Sequence, residues 1–213
     1  LTDYAYSTAA DRFGAIYIAG QTNSANAIAT PGAYRTNNGS TQDGFLAKFS
    51  ADGRRIWSTY FGGTGPENIY AVATDRDGNI YITGETGVSP NIATGGAYQL
   101  SNGGSYDAYL AKFNANGTIQ WSTYYGGSGA DYGRSITTDK DGNVYIAGNT
   151  ASATAIATTG AHQTTLGGGV DAFLIKFNDQ GQRLWGTYYG GSGTESGFGV
   201  ITDADNNVYL TGL

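Results

Sequence analysis

The chain contains no cysteine, and only three prolines and one histidine in 213 residues. Without cysteine there is no disulfide framework, no Cys zinc site and no thiol catalysis. The same absence fits a reducing compartment or an exported protein that avoids thiol chemistry. Charge is also scarce: 13% of residues are charged, 11 Lys and Arg stand against 17 Asp and Glu, and the formal net charge is -6. So acidic a chain offers phosphate backbones little to bind, which excludes nucleic acid as the expected partner. No apolar run approaches the length of a membrane span, so no membrane insertion is expected. The opening residues LTDYAYSTAADRFG have neither a basic start nor an apolar signal core, and they lack an initiator Met. The expectation is that processing has removed an upstream segment, or that these residues belong to something longer.

What is abundant is glycine, with 35 residues, and tyrosine, with 17. Aromatic residues suit pleated, half-buried surfaces and glycine supplies turns, so the composition describes a β-rich, turn-rich chain with enough length for a substantial core. The dominant signal is a period. Tyr17, Tyr81, Tyr145 and Tyr209 are 64 residues apart, as are Gly20, Gly84, Gly148 and Gly212. Trp57, Trp121 and Trp185 keep that step, as do Lys48, Lys112 and Lys176, and Asp43, Asp107 and Asp171. A fixed period of this kind marks solenoids, propellers or arrays, each unit being one supersecondary module.

One unit contains four strand signals. In the middle copy these are IYAVATD (69–75), NIYITGE (79–85), DAYLAKFN (107–114) and IQWSTYYG (119–126). Asp-Gly turns separate the first two, and ANG separates the last two. The second strand is apolar on both faces and is expected to be covered on both. Four antiparallel strands per unit, with no competing helical pattern, predict an all-β fold: a β-propeller of four-stranded antiparallel blades. Residues 1–213 then form a single propeller region, with units at about 1–64, 65–128 and 129–192 and a partial unit at 193–213. The unit exceeds the usual blade length because of a long insert between its second and third strands. Ile28, Ile92 and Ile156 recur in that insert, so its first half is expected to pack in a fixed way while its tip varies.

The segments WSTYFGGTG, WSTYYGGSG and WGTYYGGSG, followed by DRDGNIYITG, DKDGNVYIAG and DADNNVYLTG, resemble the bacterial SBBP β-propeller repeat. The strand order is distantly similar to NHL-type blades. The resemblance spans essentially the whole chain. It implies a seven-bladed propeller in exported or cell-surface bacterial proteins, usually without an assigned activity, and hence an extracellular or cell-surface (secreted) setting. This chain departs from that pattern, because it accommodates three blades plus a terminal hairpin. An open partial propeller exposes sheet edges and blade flanks, so either further blades or self-association with a second copy is expected to cover them. A well-behaved lone monomer of 22.1 kDa would count against this.

Several motifs invite chemistry. DRDGN, DKDGN and DADNN begin like EF-hand loops, but the sixth position holds Ile80, Val144 or Val208 and no bidentate Glu follows. They read as hairpin turns, and no metal site is expected. Asp3, Glu67, Asp131 and Glu195 recur just before each first strand, and a ring of carboxylates there suits either a ligand or the fixing of inter-blade turns. GGSG lacks the helix and the Lys of a phosphate loop. The recurring lysines are expected to pack their stems between blades and meet a recurring Asp. His162 replaces Tyr34 and Tyr98 at one aromatic position, which makes it a packing residue, and the tryptophans read as inter-blade packing.

No residue set supplies a nucleophile with its base or a cofactor fingerprint, so the expectation is a non-catalytic scaffold without a cofactor. It presents its inserts to a protein or glycan partner, and the candidate binding residues at the insert tips are Arg35, Asn37, Asn38, Gln99, Asn102, Tyr106 and Gln163. The alternative is a fragment of a propeller-type polysaccharide hydrolase or lyase, which would show acidic residues breaking the repeat at one spot. A third reading is a purely structural repeat array.

Overall fold

The computed structural model describes residues 2–39 and 41–213, and every regular element among them is a β-strand. The first blade comprises β1 (Asp3–Ala10), β2 (Ile16–Thr22), β3 (Asp43–Phe49) and β4 (Arg55–Phe61). The second comprises β5 (Glu67–Thr74), β6 (Ile80–Thr86), β7 (Asp107–Phe113) and β8 (Ile119–Tyr125). The third comprises β9 (Asp131–Thr138), β10 (Val144–Thr150), β11 (Asp171–Phe177) and β12 (Arg183–Tyr189), and a hairpin of β13 (Gly197–Thr202) and β14 (Val208–Gly212) follows. Each sheet is an antiparallel meander in chain order, and no strand pairs outside its own unit. This is the expected propeller architecture of three four-stranded blades plus a hairpin.

The first strand of each blade lies at the axis, where it touches the first strands of its neighbours. Thr74 Oγ1 donates to the Ala10 carbonyl at 3.0 Å, Thr138 Oγ1 to that of Thr74 at 3.0 Å, and Thr202 Oγ1 to that of Thr138 at 2.9 Å. Further out, apolar faces meet between blades. Leu46 and Phe61 of the first blade join Ile69, Ile82, Tyr109 and Phe113 of the second in one cluster, and Tyr81 and Tyr125 join Ile146, Phe173 and Phe177 in the next. β6 is buried at all seven residues, as a strand apolar on both faces requires. Each large side chain so buried stabilises the fold by roughly 1.5 to 3 kcal/mol.

The outer rim is fastened by a clamp. Trp57 Nε1 and Lys48 Nζ, at 3.1 and 3.0 Å, both donate to the Ala115 carbonyl on the last turn of the second blade. Trp121 Nε1 and Lys112 Nζ do the same to the Asp179 carbonyl of the third blade, at 2.9 and 3.1 Å. The clamped turn passes over the indole, and a Cβ on Gly117 or Gly181 would lie 2.9 Å from the ring. Both glycines have φ near +80°, with values of 81° and 79°, which L side chains rarely adopt. The lysines therefore differ from the expectation of an aspartate partner, because the oxygen within reach of Lys48 and Lys112 is a backbone carbonyl of the next blade. Lys176 alone meets a carboxylate, that of Asp139 in its own blade, at 3.5 Å.

Each insert lies along the fourth strand of its own blade. The Thr30, Thr94 and Thr158 amides donate to the carbonyls of Ser58, Ser122 and Gly186, and Tyr60, Tyr124 and Tyr188 donate back to Arg35, Gln99 and Gln163. Ile92 and Ile156 are buried, so the first half of the insert packs as expected. The insert thereby covers backbone groups that an outermost strand would otherwise offer to other chains.

The clamp predicts unequal costs for chemically identical truncations. Trp121→Ala is expected to lose about 3 to 5 kcal/mol in urea unfolding, whereas Trp185→Ala, whose indole has no following turn to grip among the described residues, loses less than half as much. Equal losses would contradict the clamp.

Candidate functional site at the axis

Every first strand carries a β-bulge near its start. The register shifts between Ala5 and Ser7, between Ile69 and Ala71, and between Gly197 and Gly199, and in β9 the shift falls opposite Ala147 and Gly148. The residues set out of register are Tyr6, Tyr70, Arg134 and Phe198. The cause lies opposite, at the recurring glycine of the second strand. A Cβ on Gly20, Gly84 or Gly148 would lie 1.8 Å from the carbonyl oxygen of Tyr4, Asn68 or Tyr132. Only a residue without a side chain allows the backbone so close, and that approach lets the strand bulge and re-aim one side chain toward the axis.

The bulged residue then meets the residue after the glycine. Tyr6 donates its hydroxyl to Gln21 Oε1 at 2.9 Å, and Arg134 Nε donates to Asn149 Oδ1 at 3.3 Å. Tyr70 and Glu85 share Asn68, whose Nδ2 donates to the Tyr70 hydroxyl at 3.4 Å and to Glu85 Oε1 at 2.6 Å. Burial and the Glu85 charge together hold the Tyr70 phenol above its ordinary range, so it stays protonated. Three equivalent couples thus carry three chemistries, and they touch. The Tyr6 and Tyr70 rings are 5.5 Å apart, and the Arg134 guanidinium lies 4.4 Å from the Tyr70 centroid and 4.8 Å from that of Tyr132.

The acids that keep the period are occupied elsewhere. Glu67 accepts the Gly63 amide at 3.0 Å and the Thr86 hydroxyl at 2.9 Å, and Asp131 accepts the Gly127 amide at 2.9 Å together with Ser152 and Thr150. Asp3 takes Thr22 and Ser24, and Glu195 takes the Gly191 amide. These carboxylates fix the turns between blades. Asp75 spends its two oxygens on the Asp77 and Asn79 amides, the Asn79 side chain and the Tyr81 hydroxyl, and Asp139 repeats the set. The hairpin-turn reading of these motifs therefore accounts for their carboxylates. On the side of these turns the axis opens into a cavity of about 320 Å³ lined by Thr74, Thr138 and Thr202, with the cations Arg12, Arg76 and Lys140 balanced by Asp75, Asp139 and Asp203.

Among the insert residues singled out from sequence, Arg35, Gln99 and Gln163 share one register and brace the insert. The Arg35 guanidinium donates to the Gly63 carbonyl at 2.9 Å. Gln99 and Gln163 donate to Asp107 and Asp171 at 2.8 and 2.7 Å and accept the Gly126 and Gly190 amides. Asn102 spans the carbonyls of Thr86 and Gly87, and Asn37 is exposed with its carbonyl bonded to Arg35. Asn38 sits half-buried beside it. Tyr106 stacks on Tyr132 at 6.1 Å, which joins the insert to the axial couples. His162 stacks on Tyr189 at 5.8 Å, as an aromatic packing residue would. The couples themselves escape a search for recurring residues, because their signal is largely the opposite one: Arg134 stands where Tyr6 and Tyr70 stand, and Gln21, Glu85 and Asn149 all differ in an otherwise regular strand.

The buried acids set a pH dependence. Burial, reinforced by Asp43, pushes Glu67 up from 4.5 to about 7, and burial with Asp131 nearby pushes Asp107 up from 3.8 to about 6. A carboxyl raised on folding holds more protons in the folded state, so its contribution is complete below the unfolded value and is lost as pH rises through the folded one. Stability is expected to fall as pH rises from about 4.5 to about 7, with Glu67 adding up to about 1.4 kcal/mol per pH unit. Glu67→Gln should flatten that slope in thermal melts, and an unchanged slope would assign the dependence to other groups.

A family model agrees with this architecture. The family model SBBP, described as a Beta-propeller repeat, matches residues 56–90 and 120–153. The chain is 25% identical over 199 residues to an uncharacterized WD repeat-containing protein of Acanthamoeba polyphaga mimivirus, covering 81% of this chain and 14% of that relative. It therefore spans about one seventh of the relative's length. Among solved structures, a protein of unknown function from Bacteroides caccae is similar with a TM-score of 0.49 at 14% identity, over 98% of this chain and 53% of the other. Both family matches run from a fourth strand, across the joint between blades, into the second strand of the next blade, so it is the joints between blades that are similar to the SBBP β-propeller repeat.

Proposed function

We propose that the chain is a non-catalytic binding scaffold that engages a protein or glycan partner on the insert side of the propeller. The observation that carries this reading is the division of labour between two sets of polar residues. The acids, lysines and tryptophans that keep the period are consumed by turns and clamps, whereas Gln21, Glu85, Arg134 and Asn149, which break it, converge with Tyr6 and Tyr70 on one axial surface. A rigid symmetric frame presenting an asymmetric cluster is what recognition requires, since ordering costs little when the frame is already fixed. The use of propeller and WD-repeat folds in protein association supports the same reading. The setting proposed is extracellular or cell-surface, on the strength of the resemblance of the repeat.

A second reading has one observation in its favour. Glu85 is an acid that breaks the repeat, standing where Gln21 and Asn149 stand in the neighbouring units. Glycoside hydrolysis takes two carboxyl groups flanking the bond, and the neighbouring Glu67 and Asp131 are held by backbone amides in the turns. The scaffold reading predicts that polysaccharides incubated with the chain yield no new reducing ends or unsaturated products, under conditions where a partner is retained on the immobilised chain. Turnover would replace it with the enzyme reading.

A further inference from the structure

We infer that the axial couples form a binding site for an uncharged oligosaccharide. This deepens the scaffold reading and rests on it. The first argument is shape. Tyr4 and Tyr6 stack at 6.1 Å with planes 8° apart, Tyr6 meets Tyr70, Arg134 bridges Tyr70 and Tyr132, and Tyr132 meets Tyr106. The result is a continuous arc of aromatic faces around the insert side of the axis. Tyr4, Tyr6 and Tyr106 are 49%, 45% and 36% exposed, so the arc faces solvent.

The second argument is the spacing of polar groups. Tyr6 and Arg134 are tied to an amide one strand away, and Tyr70 is joined to the Glu85 carboxylate through Asn68, so apolar faces alternate with donors and acceptors along the whole arc. A protein side-chain patch prefers a contiguous dry surface, whereas a pyranose offers a C–H face rimmed by hydroxyls. Aromatic rings accept the first, and amides and carboxylates the second. Gln21 and Asn149 each use their carbonyl oxygen internally, and Glu85 keeps acceptor capacity beyond its bond to Asn68.

The third argument is charge. Glu85 and Arg134 are the charged members of the three couples, they are of opposite sign, and both border Tyr70. The guanidinium is already laid on two tyrosine faces. The site is balanced, which favours a neutral ligand over a phosphate or a polyanion.

The test is calorimetric titration of the chain with malto-, cello-, xylo-, manno- and chito-oligosaccharides, with reducing ends measured in parallel. At least one class is expected to bind. Tyr6→Ala should weaken it about tenfold while Tyr6→Phe, which keeps the ring face, stays within about twofold. Glu85→Gln, which keeps shape but loses charge, should weaken it about threefold or more. Thermal melts of the same variants show that each is folded. No binding up to about 10 mM, or binding indifferent to Tyr6→Ala and Glu85→Gln, overturns the inference. Capture of a protein partner with the ring variants unaffected also overturns it and leaves the scaffold reading standing. Release of new reducing ends removes the scaffold reading but not the site.

Discussion

The structure depends on one close approach. In every unit the backbone of the first strand presses against the glycine at the fifth residue of the second strand, at Gly20, Gly84, Gly148 and Gly212. This contact produces the bulge, and the bulge turns a side chain that an unbroken ladder would leave between blades toward the axis. A regular four-stranded meander thereby acquires a surface that it would otherwise lack. The constraint is local and identical in each blade, so it places whatever residue occupies the bulge without specifying its chemistry.

Around that contact the fold separates holding from presenting. At the rim, a lysine and a tryptophan fasten the first blade to a turn of the second, and the second to a turn of the third, each through one carbonyl. On the insert side, carboxylates gather the backbone amides of the blade joints at the expense of raised pKa values. These groups recur because every joint repeats the same problem. The couples Tyr6 with Gln21, Tyr70 with Glu85, and Arg134 with Asn149 face no such requirement, and their second members, with Arg134, have diverged within a single chain.

Much of this was legible in the sequence, and the limits have physical causes. The 64-residue step revealed units, strands and hairpin turns, since turn chemistry and alternation are local. The packed first half of the inserts followed from recurring Ile92 and Ile156. The lysine partners were not legible, because a backbone carbonyl leaves no mark on residue type and an aspartate does. The axial couples were missed for a related reason. Gly84 and its equivalents were visible as recurring residues, but the carbonyl they accommodate belongs to another strand, and pairing alone shows which side chain it displaces. Arg35 stands where Gln99 and Gln163 stand yet braces its insert as they do, so variation at a loop position did not by itself distinguish a surface from a strut.

The measurement that bears most directly on the account is the stability of Gly84→Ala by urea unfolding, set beside Gly95→Ala as a control. A Cβ at Gly84 meets the Asn68 carbonyl at 1.8 Å, whereas one at Gly95 meets nothing within 4 Å. The account predicts a loss of about 3 kcal/mol or more for Gly84→Ala and a change within about 0.5 kcal/mol for Gly95→Ala. A Gly84→Ala chain as stable as the parent would show that the bulge does not need that clearance, and the explanation of the axial surface would fall with it.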